Sequence, residues 1–376
     1  MLMLLFVGYY LGDDGQVAYF PSYMGTLALL ALWVISPGDW RLLIHRRSLP
    51  ALAFITYLAA SGLWSEPADF LPLGHAVLLA GFLFGILVVH HRLPGLLAHA
   101  IDLLILVAAL SAAISIYLFH TVDYNPLDET DRLYAFGRIY NPVISAMSYA
   151  IPLVFALTRL AFEQSRLRQL LLAAATLALV WAIVLTGTRS VWLGLFAAPL
   201  AIVMINPALT PRRRWIALAA IVAGAGVLLG IAFAMGLGDN ILRRALSFRP
   251  EIWTAMLERI QAGNWLIGQG IGSDSSVTWQ HLTFDHAHSV YLATLFYGGA
   301  IGLTLLVAVM LTSLLDLLGS RFDQRTALVT GGIAFALVSL GIDGNRLLEK
   351  VDHLWIVFWL PVALGWTSRP RDDGLD

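Results

Sequence analysis

The sequence predicts an all-α integral membrane protein of about twelve transmembrane helices, with one large polar loop between the ninth and tenth spans. Three observations carry that prediction. The 376 residues are 59% hydrophobic and only 12% charged, against roughly 25% charged in a soluble domain. The apolar residues gather into runs near the ~20 needed to cross a bilayer. The charges between those runs sort by side, as the positive-inside rule requires.

Taken in order, the runs are 1–12, 17–36, 50–64, 70–90, 94–119, 141–161, 168–187, 190–206, 215–237, 288–318, 326–342 and 353–367. The first and third are short. The opening MLMLLFVGYYLG carries no basic n-region and no small-residue cleavage site, so it reads as a span rather than a removed signal. With the N-terminus inside, the cytoplasmic connections hold Arg41, Arg46 and Arg47, then Arg92, Arg159, Arg166 and Arg168. Arg212, Arg213 and Arg214 follow, then Arg321, Arg325, Arg369 and Arg371. The opposite side receives Asp13, Asp14, Glu66, Asp69, Asp123, Asp128, Glu129 and Asp131. This alternation divides the chain into spans one to nine (1–237), an outer loop (238–287) and spans ten to twelve with a cytoplasmic tail (288–376). The loop lies in the periplasm if the host is Gram-negative.

Composition also excludes chemistry. There is no cysteine, so disulfides, thiolate metal sites and a cysteine nucleophile are ruled out. The net charge of −1 says little in a membrane protein, where the distribution of charge matters more than its sum. No nucleic-acid partner is expected. Gly268, Gly270 and Gly272 form a backbone turn; no strand precedes them and their spacing is not that of a dinucleotide loop. Ahead of them, Pro250 and Glu251 open a helix. Ile252, Trp253, Met256, Leu257 and Ile260 recur at helical spacing, which predicts an amphipathic helix lying on the membrane or capping the bundle.

Nine basic residues break the sidedness: Arg132, Arg138, Arg189, Arg243, Arg244, Arg249, Arg259, Arg346 and Lys350. Arg189 stands in the tight Thr186-Gly187-Thr188-Arg189 turn between two apolar runs, on the side where arginine is disfavoured. Two readings are open, a snorkelling interfacial side chain or an anion clamp whose planar fork of donors suits phosphate oxygens. Arg249 and Arg138, at other outer mouths, are candidates to join such a clamp.

His288 begins a long span directly after the polar loop, where lipid and water meet. Histidine's ordinary titration lies near neutral pH, which suits a proton acceptor. An interfacial histidine with a wet tip is the bland alternative; His286 either orients His288 or simply marks the interface, and the interface is the reading preferred. His281, Asp285, His286 and His288 also raise a metal site. The expectation is against one, because His-x-His at a helix start does not put both rings on one face and no third ligand is fixed by the sequence. Asp102 and His99, one turn apart, are expected to pair with each other.

These residues resemble the O-antigen ligase family, whose wider group includes O-antigen polymerases. His288-Ser289, nine residues, Gly299, two residues and Gly302 resemble its His-[Asn/Ser/Gln]-x9-Gly-x2-[Gly/Thr/Tyr] motif. Arg189 to Leu193 is similar to its Arg-x3-Leu element after a Thr-Gly turn. Phe248-Arg249-Pro250 through Gly268-Gln269-Gly270 is similar to its outer-loop pattern, and Tyr140-Asn141-Pro142 to the Asn-Pro that opens a central span. The resemblance covers 137–302. Ser289 replaces the commoner Asn.

The resemblance implies a GT-C-like membrane glycosyltransferase in the bacterial inner membrane. It would move a glycan from undecaprenyl diphosphate to lipid A–core on the periplasmic side, without metal or cofactor and with inversion. His288 would be the general base, while Arg189 and Arg249, with Arg138 as a third candidate, would hold the diphosphate. His286, Ser289 and Asn141 would support them, and Gly299 and Gly302 would let another helix or the lipid approach. A polymerase with the same donor chemistry is the runner-up, and a flippase for lipid-linked oligosaccharide is the alternative from another class. A flippase is expected to show pseudo-repeats and broken spans, and the sequence displays neither.

Overall fold

A computed structural model describes residues 2–12, 20–35, 37–122, 132–234, 248–280 and 282–367. Ten helices precede the loop: α1 (Leu2–Leu11), α2 (Phe20–Ile35), α3 (Trp40–Leu43), α4 (Leu49–Ser61), α5 (Leu71–Arg92), α6 (Pro94–Thr121), α7 (Pro142–Phe162), α8 (Arg166–Thr186), α9 (Arg189–Ile205) and α10 (Pro211–Ala234). The loop holds α11 (Arg249–Ala262) and a two-stranded antiparallel hairpin, β1 (Val277–Trp279) and β2 (Leu282–Phe284). After it come α12 (Val290–Leu318), α13 (Gln324–Ile342) and a π-helical turn, Trp355–Trp359, that runs into α14 (Leu360–Trp366).

Each of the twelve predicted runs contains a helix. Helices α5, α6, α7, α8, α12 and α13 are long and apolar enough to cross a membrane; α1, α4, α9 and the Trp355–Trp366 segment are shorter apolar helices. The bundle is therefore that of a multi-pass membrane protein. The bundle is all-α, as expected; the loop adds a small hairpin, Val277–Trp279 with Leu282–Phe284, whose three-residue strands are too short to leave a period in the sequence. Asp13, Asp14, Asp123, Asp128, Glu129, Asp131, Arg243, Arg244, His281, Arg369 and Arg371 lie outside the described residues.

At the end assigned to the cytoplasm, basic residues are tied by ion pairs: Arg47 to Asp316 (3.3 Å), Arg92 to Asp39 (2.7 Å) and Arg159 to Asp102 (3.1 Å). The expected His99–Asp102 pair does not form. His99 turns back to the Gly95 carbonyl, and Arg159 of α7 is the stronger partner for the carboxylate.

At the other end, three features place the site. Gly187, in the left-handed region at φ +61°, ends α8 and allows α9 to start two residues later. Arg132 fastens that turn, donating to the Thr186 carbonyl (2.6 Å) and to Thr188 Oγ1 (3.1 Å). Asn141 caps α7, accepting from the amides of Val143 and Ile144, so its described role is structural.

Helices α9 and α13 pack antiparallel. A Cβ on Gly194 would meet Phe335, and one on Gly331 would meet Ala198 and Ile202. Extending that register sets the Arg189 end of α9 level with the Ile342 end of α13.

The third feature is a break in α12. Gly299 has φ +62° and ψ −163°, so residues 290–298 form a separate stub, which corrects the expectation that no span is broken. The loop strand 265–270 fills the gap. Ala300 and Ile301 donate to the carbonyls of Trp265 and Leu266, and Gln269 and Gly270 donate to those of Phe296 and Tyr297. Tyr57 Oη adds bonds to the Ile267 and Gly298 carbonyls, each 3.0 Å. The close neighbour at Gly299 is thus loop backbone rather than another helix or lipid: a Cβ there would sit 2.3 Å from the Leu266 oxygen. Gly302 is less constrained, with its nearest neighbours at an ordinary 3.5 Å.

Candidate active site

The stub of α12 presents His288. Ser289 caps the helix by accepting from the Leu292 amide, and His288 just before it adopts a left-handed backbone, φ +49°. A non-glycine residue held there costs on the order of 1–3 kcal/mol and persists only where its surroundings enforce it. Those surroundings are visible. Trp253 of α11 donates its indole N–H to the Ala287 carbonyl (2.9 Å), and Tyr291 Oη donates to the Leu337 carbonyl of α13 (2.7 Å).

The ring of His288 meets Asp343, the first residue past α13. Nδ1 lies 3.1 Å from Oδ1 of Asp343, and the other carboxylate oxygen, Oδ2, accepts from Arg249 at 2.9 Å. Arg249 Nε donates to the neighbouring Ile342 carbonyl, also at 2.9 Å. Three elements distant in sequence, the start of α11, the start of α12 and the end of α13, thereby converge on one carboxylate. Asp343 is nearly enclosed, its side chain 6% exposed. Burial pushes its pKa up, but the hydrogen bond and charge of His288 and the charge of Arg249 outweigh burial and hold it below the ordinary carboxylate value. A carboxylate so placed keeps the proton of a neutral His288 on Nδ1 and leaves Nε2 as the acceptor.

His286 belongs to the site as well. Its ring centroid is 4.2 Å from that of His288. Burial first, and the neighbouring His288 second, lower its pKa to about 4, so it is neutral at pH 7. The ring contact corrects the expectation that His-x-His would keep the two rings apart, because the left-handed turn at His288 removes the helical spacing on which that expectation relied. A third donor, absent from the sequence argument, is Asp343: one atom from each of His286, His288 and Asp343 falls within a 4.8 Å cluster. By distance, the trio can approach a cation. Both oxygens of Asp343 already accept hydrogen bonds, one from a guanidinium whose charge opposes a cation there.

The remaining predicted arginines are placed differently. Arg189 opens α9 at the level of the Ile342–Asp343 end of α13. Arg138 donates to the Val351 carbonyl and lies over the Tyr9 ring, 5.6 Å from its centroid. It braces the segment between α13 and the last helix at Val351. Arg346 spans the Ile271 carbonyl and Glu349, and Arg259 holds the Asp274 and Ser276 carbonyls.

The matches to known proteins fall on this geometry. A family model for O-antigen ligase matches residues 173–307, the stretch that holds Arg189, Arg249, His286, His288, Ser289, Gly299 and Gly302. Over 318 residues the chain is 31% identical to an O-antigen ligase of Pseudomonas aeruginosa, covering 83% of this chain and 75% of that protein. The chain belongs to the O-antigen ligase family. For an O-antigen ligase family member, the residue that sequence reasoning missed is Asp343. Its one sequence signal was an acid at the end of a predicted span, followed by Gly344. Its partners Arg249 and His288 stand 94 and 55 positions away.

Proposed function

We propose that the protein is a ligase that transfers a glycan from undecaprenyl diphosphate to a sugar hydroxyl of lipid A–core. The proposal places twelve spans of GT-C type in the bacterial inner membrane, with the reaction on the periplasmic side. The observation that carries it is the His288–Asp343–Arg249 array, a histidine ring held against a buried carboxylate that a guanidinium also holds.

In the proposed step, the acceptor hydroxyl oxygen forms a bond to the anomeric carbon while the bond from that carbon to the diphosphate oxygen breaks. One displacement inverts the anomeric centre. The hydroxyl proton passes to Nε2 of His288, and the resulting imidazolium is stabilised through Nδ1–H by the Asp343 carboxylate. General-base assistance of this kind contributes on the order of 10²–10⁴ in rate. Arg249 and Arg189 stabilise the charge that grows on the departing diphosphate, the largest electrostatic demand of the step. Two guanidiniums supply there what a divalent cation supplies in many phosphate-releasing transfers, so the reaction is proposed to be metal-independent. His286, neutral and packed on His288, confines the base. Arg138 braces the segment between α13 and the last helix at Val351.

A reconstituted assay with undecaprenyl-diphosphate-linked glycan, lipid A–core and a chelator tests this reading. Chelator-resistant transfer to lipid A–core that His288→Ala abolishes is the expected result. Glycan lengthening without modification of lipid A–core would instead identify a polymerase. Movement of the lipid-linked glycan across the membrane that survives His288→Ala, with no transfer, would identify a flippase.

A further inference from the structure

Beside the reaction centre, α11 borders a groove that the proposed chemistry leaves unused. Its volume is about 320 Å³, and it is lined by Pro250, Glu251, Thr254, Ala255, Glu258 and Trp279. Residues 251, 254, 255 and 258 repeat at helical spacing and form one stripe along α11. Trp279, the last residue of β1, supplies an aromatic wall. An aromatic chain sets its ring: Phe248 lies 5.3 Å away, and Phe284 of β2 lies 6.1 Å from Phe248.

The polar groups of the groove are poorly satisfied by the protein itself. Oε2 of Glu251 is buried and accepts no hydrogen bond among the described residues. Glu258, exposed on the same stripe, has no ion-pair partner among them. Thr254 Oγ1 gives its proton to the Pro250 carbonyl at 2.8 Å, which leaves that oxygen as an acceptor. An aromatic face beside a row of acceptors suits a molecule with an apolar C–H face and a rim of hydroxyl donors. That description fits a sugar ring. The volume lies at the low end of the ~300–1,000 Å³ common for small-molecule sites. Two carboxylates repel a phosphate, so the diphosphate belongs with the arginines and the groove is suited to uncharged or amine-bearing rings.

Position gives the groove its role. It begins at Pro250, next to the Arg249 that holds Asp343, and ends near Glu258, about 12 Å along α11 at ~1.5 Å per residue. We propose that this groove binds a neutral or amino sugar of the transferred glycan, beyond the unit at the reaction centre. The inference rests on the proposed ligase reaction and adds a glycan subsite to it.

The test compares two donors, one carrying the host's own polymer and one carrying a single sugar on the same lipid diphosphate, with the full-length protein in proteoliposomes. In Trp279→Ala and Glu258→Gln, KM for the polymer donor is expected to rise about three- to tenfold, the loss of one aromatic contact. The kcat and the single-sugar KM are expected to stay at wild-type values. An unchanged polymer KM, or equal losses for both donors, would overturn the subsite.

A binding arm separates this inference from the reaction it rests on. A short oligosaccharide released from the host polymer is added to the purified protein, and saturation transfer to its protons is read by NMR. Signal in wild type that Trp279→Ala removes supports the groove even if no donor is turned over. No signal, or equal signal in both, overturns it. Calcium uptake that Glu258→Gln abolishes, and that the oligosaccharide does not displace, would make the groove a cation site and overturn the sugar assignment.

Discussion

Replacing Asp343 with asparagine is the most informative single change. The side chain is 6% exposed and accepts from both His288 and Arg249. Asparagine keeps the shape, removes the charge and turns one acceptor into an NH₂ donor. If that NH₂ faces His288, Nδ1 must become the acceptor, and the imidazole proton moves to Nε2, where the acceptor hydroxyl is proposed to deliver its own. A hydrogen bond to a charged group is worth about 1.5–3 kcal/mol. At ~1.4 kcal/mol per tenfold, losing that stabilisation of the imidazolium slows transfer about ten- to hundredfold, and the wrong tautomer adds to the loss. The assay is the initial rate of glycan transfer in proteoliposomes, with a thermal melt to confirm folding. Asp343→Glu is expected to recover part of the rate, because it restores the charge at a displaced position. Asp343→Asn turning over at the wild-type rate would refute the coupling of this carboxylate to the base.

Other outcomes follow from the same geometry. Gly299→Ala puts a Cβ 2.3 Å from the Leu266 oxygen in a left-handed backbone, and is expected to cost about 2–5 kcal/mol through overpacking and strain. Gly302→Ala meets only ordinary contacts, so the two melting temperatures in detergent should separate clearly. Arg249→Ala and Arg189→Ala are expected to weaken donor use while the protein still folds; full transfer by both with purified donor would remove the diphosphate clamp. Burial first, and the Glu349 charge second, push Asp352 up to about 8, far above its unfolded value near ~3.9. Between those values the folded state holds a proton that the unfolded state has released, so this group makes stability fall as pH rises from about 4 to about 8. Asp352→Asn should flatten that slope and stabilise the protein most above pH 8; a melting profile against pH unchanged by the substitution would contradict the assignment.

Much of the bundle was legible because hydrocarbon imposes a simple code: long apolar runs, charges sorted by side. The buried face of α11, Ile252, Met256 and Ile260, was equally legible from its spacing. His288 and Arg249 could be singled out because each stands at a span mouth or beside a polar loop. What joins them was not legible. Asp343 is an ordinary acid at a span end until α12 and α13 fold beside each other, and no local pattern encodes a contact across 94 positions. The apposition of His286 and His288 depends on one left-handed residue that a helical-spacing argument assumes away. Arg138 and Arg132 were expected to be outward arginines open to an anion, yet their described hydrogen bonds go to backbone carbonyls and a threonine hydroxyl. Sidedness identifies where a cation stands, but its partner is set by tertiary packing. The hairpin escaped because its strands are too short to show alternation.

The break at Gly299 also constrains how the protein can move. Residues 265–270 accept from the amides of Ala300 and Ile301 and donate to the carbonyls of Phe296 and Tyr297. Peeling that strand away would break four backbone hydrogen bonds and strand eight backbone groups, at about 1–3 kcal/mol for each group left buried and more where hydrocarbon replaces water. The strand therefore behaves as a fixed jamb rather than a door. In the proposed reaction, glycan and lipid would then enter and leave along other walls, with the histidine-bearing stub kept clamped.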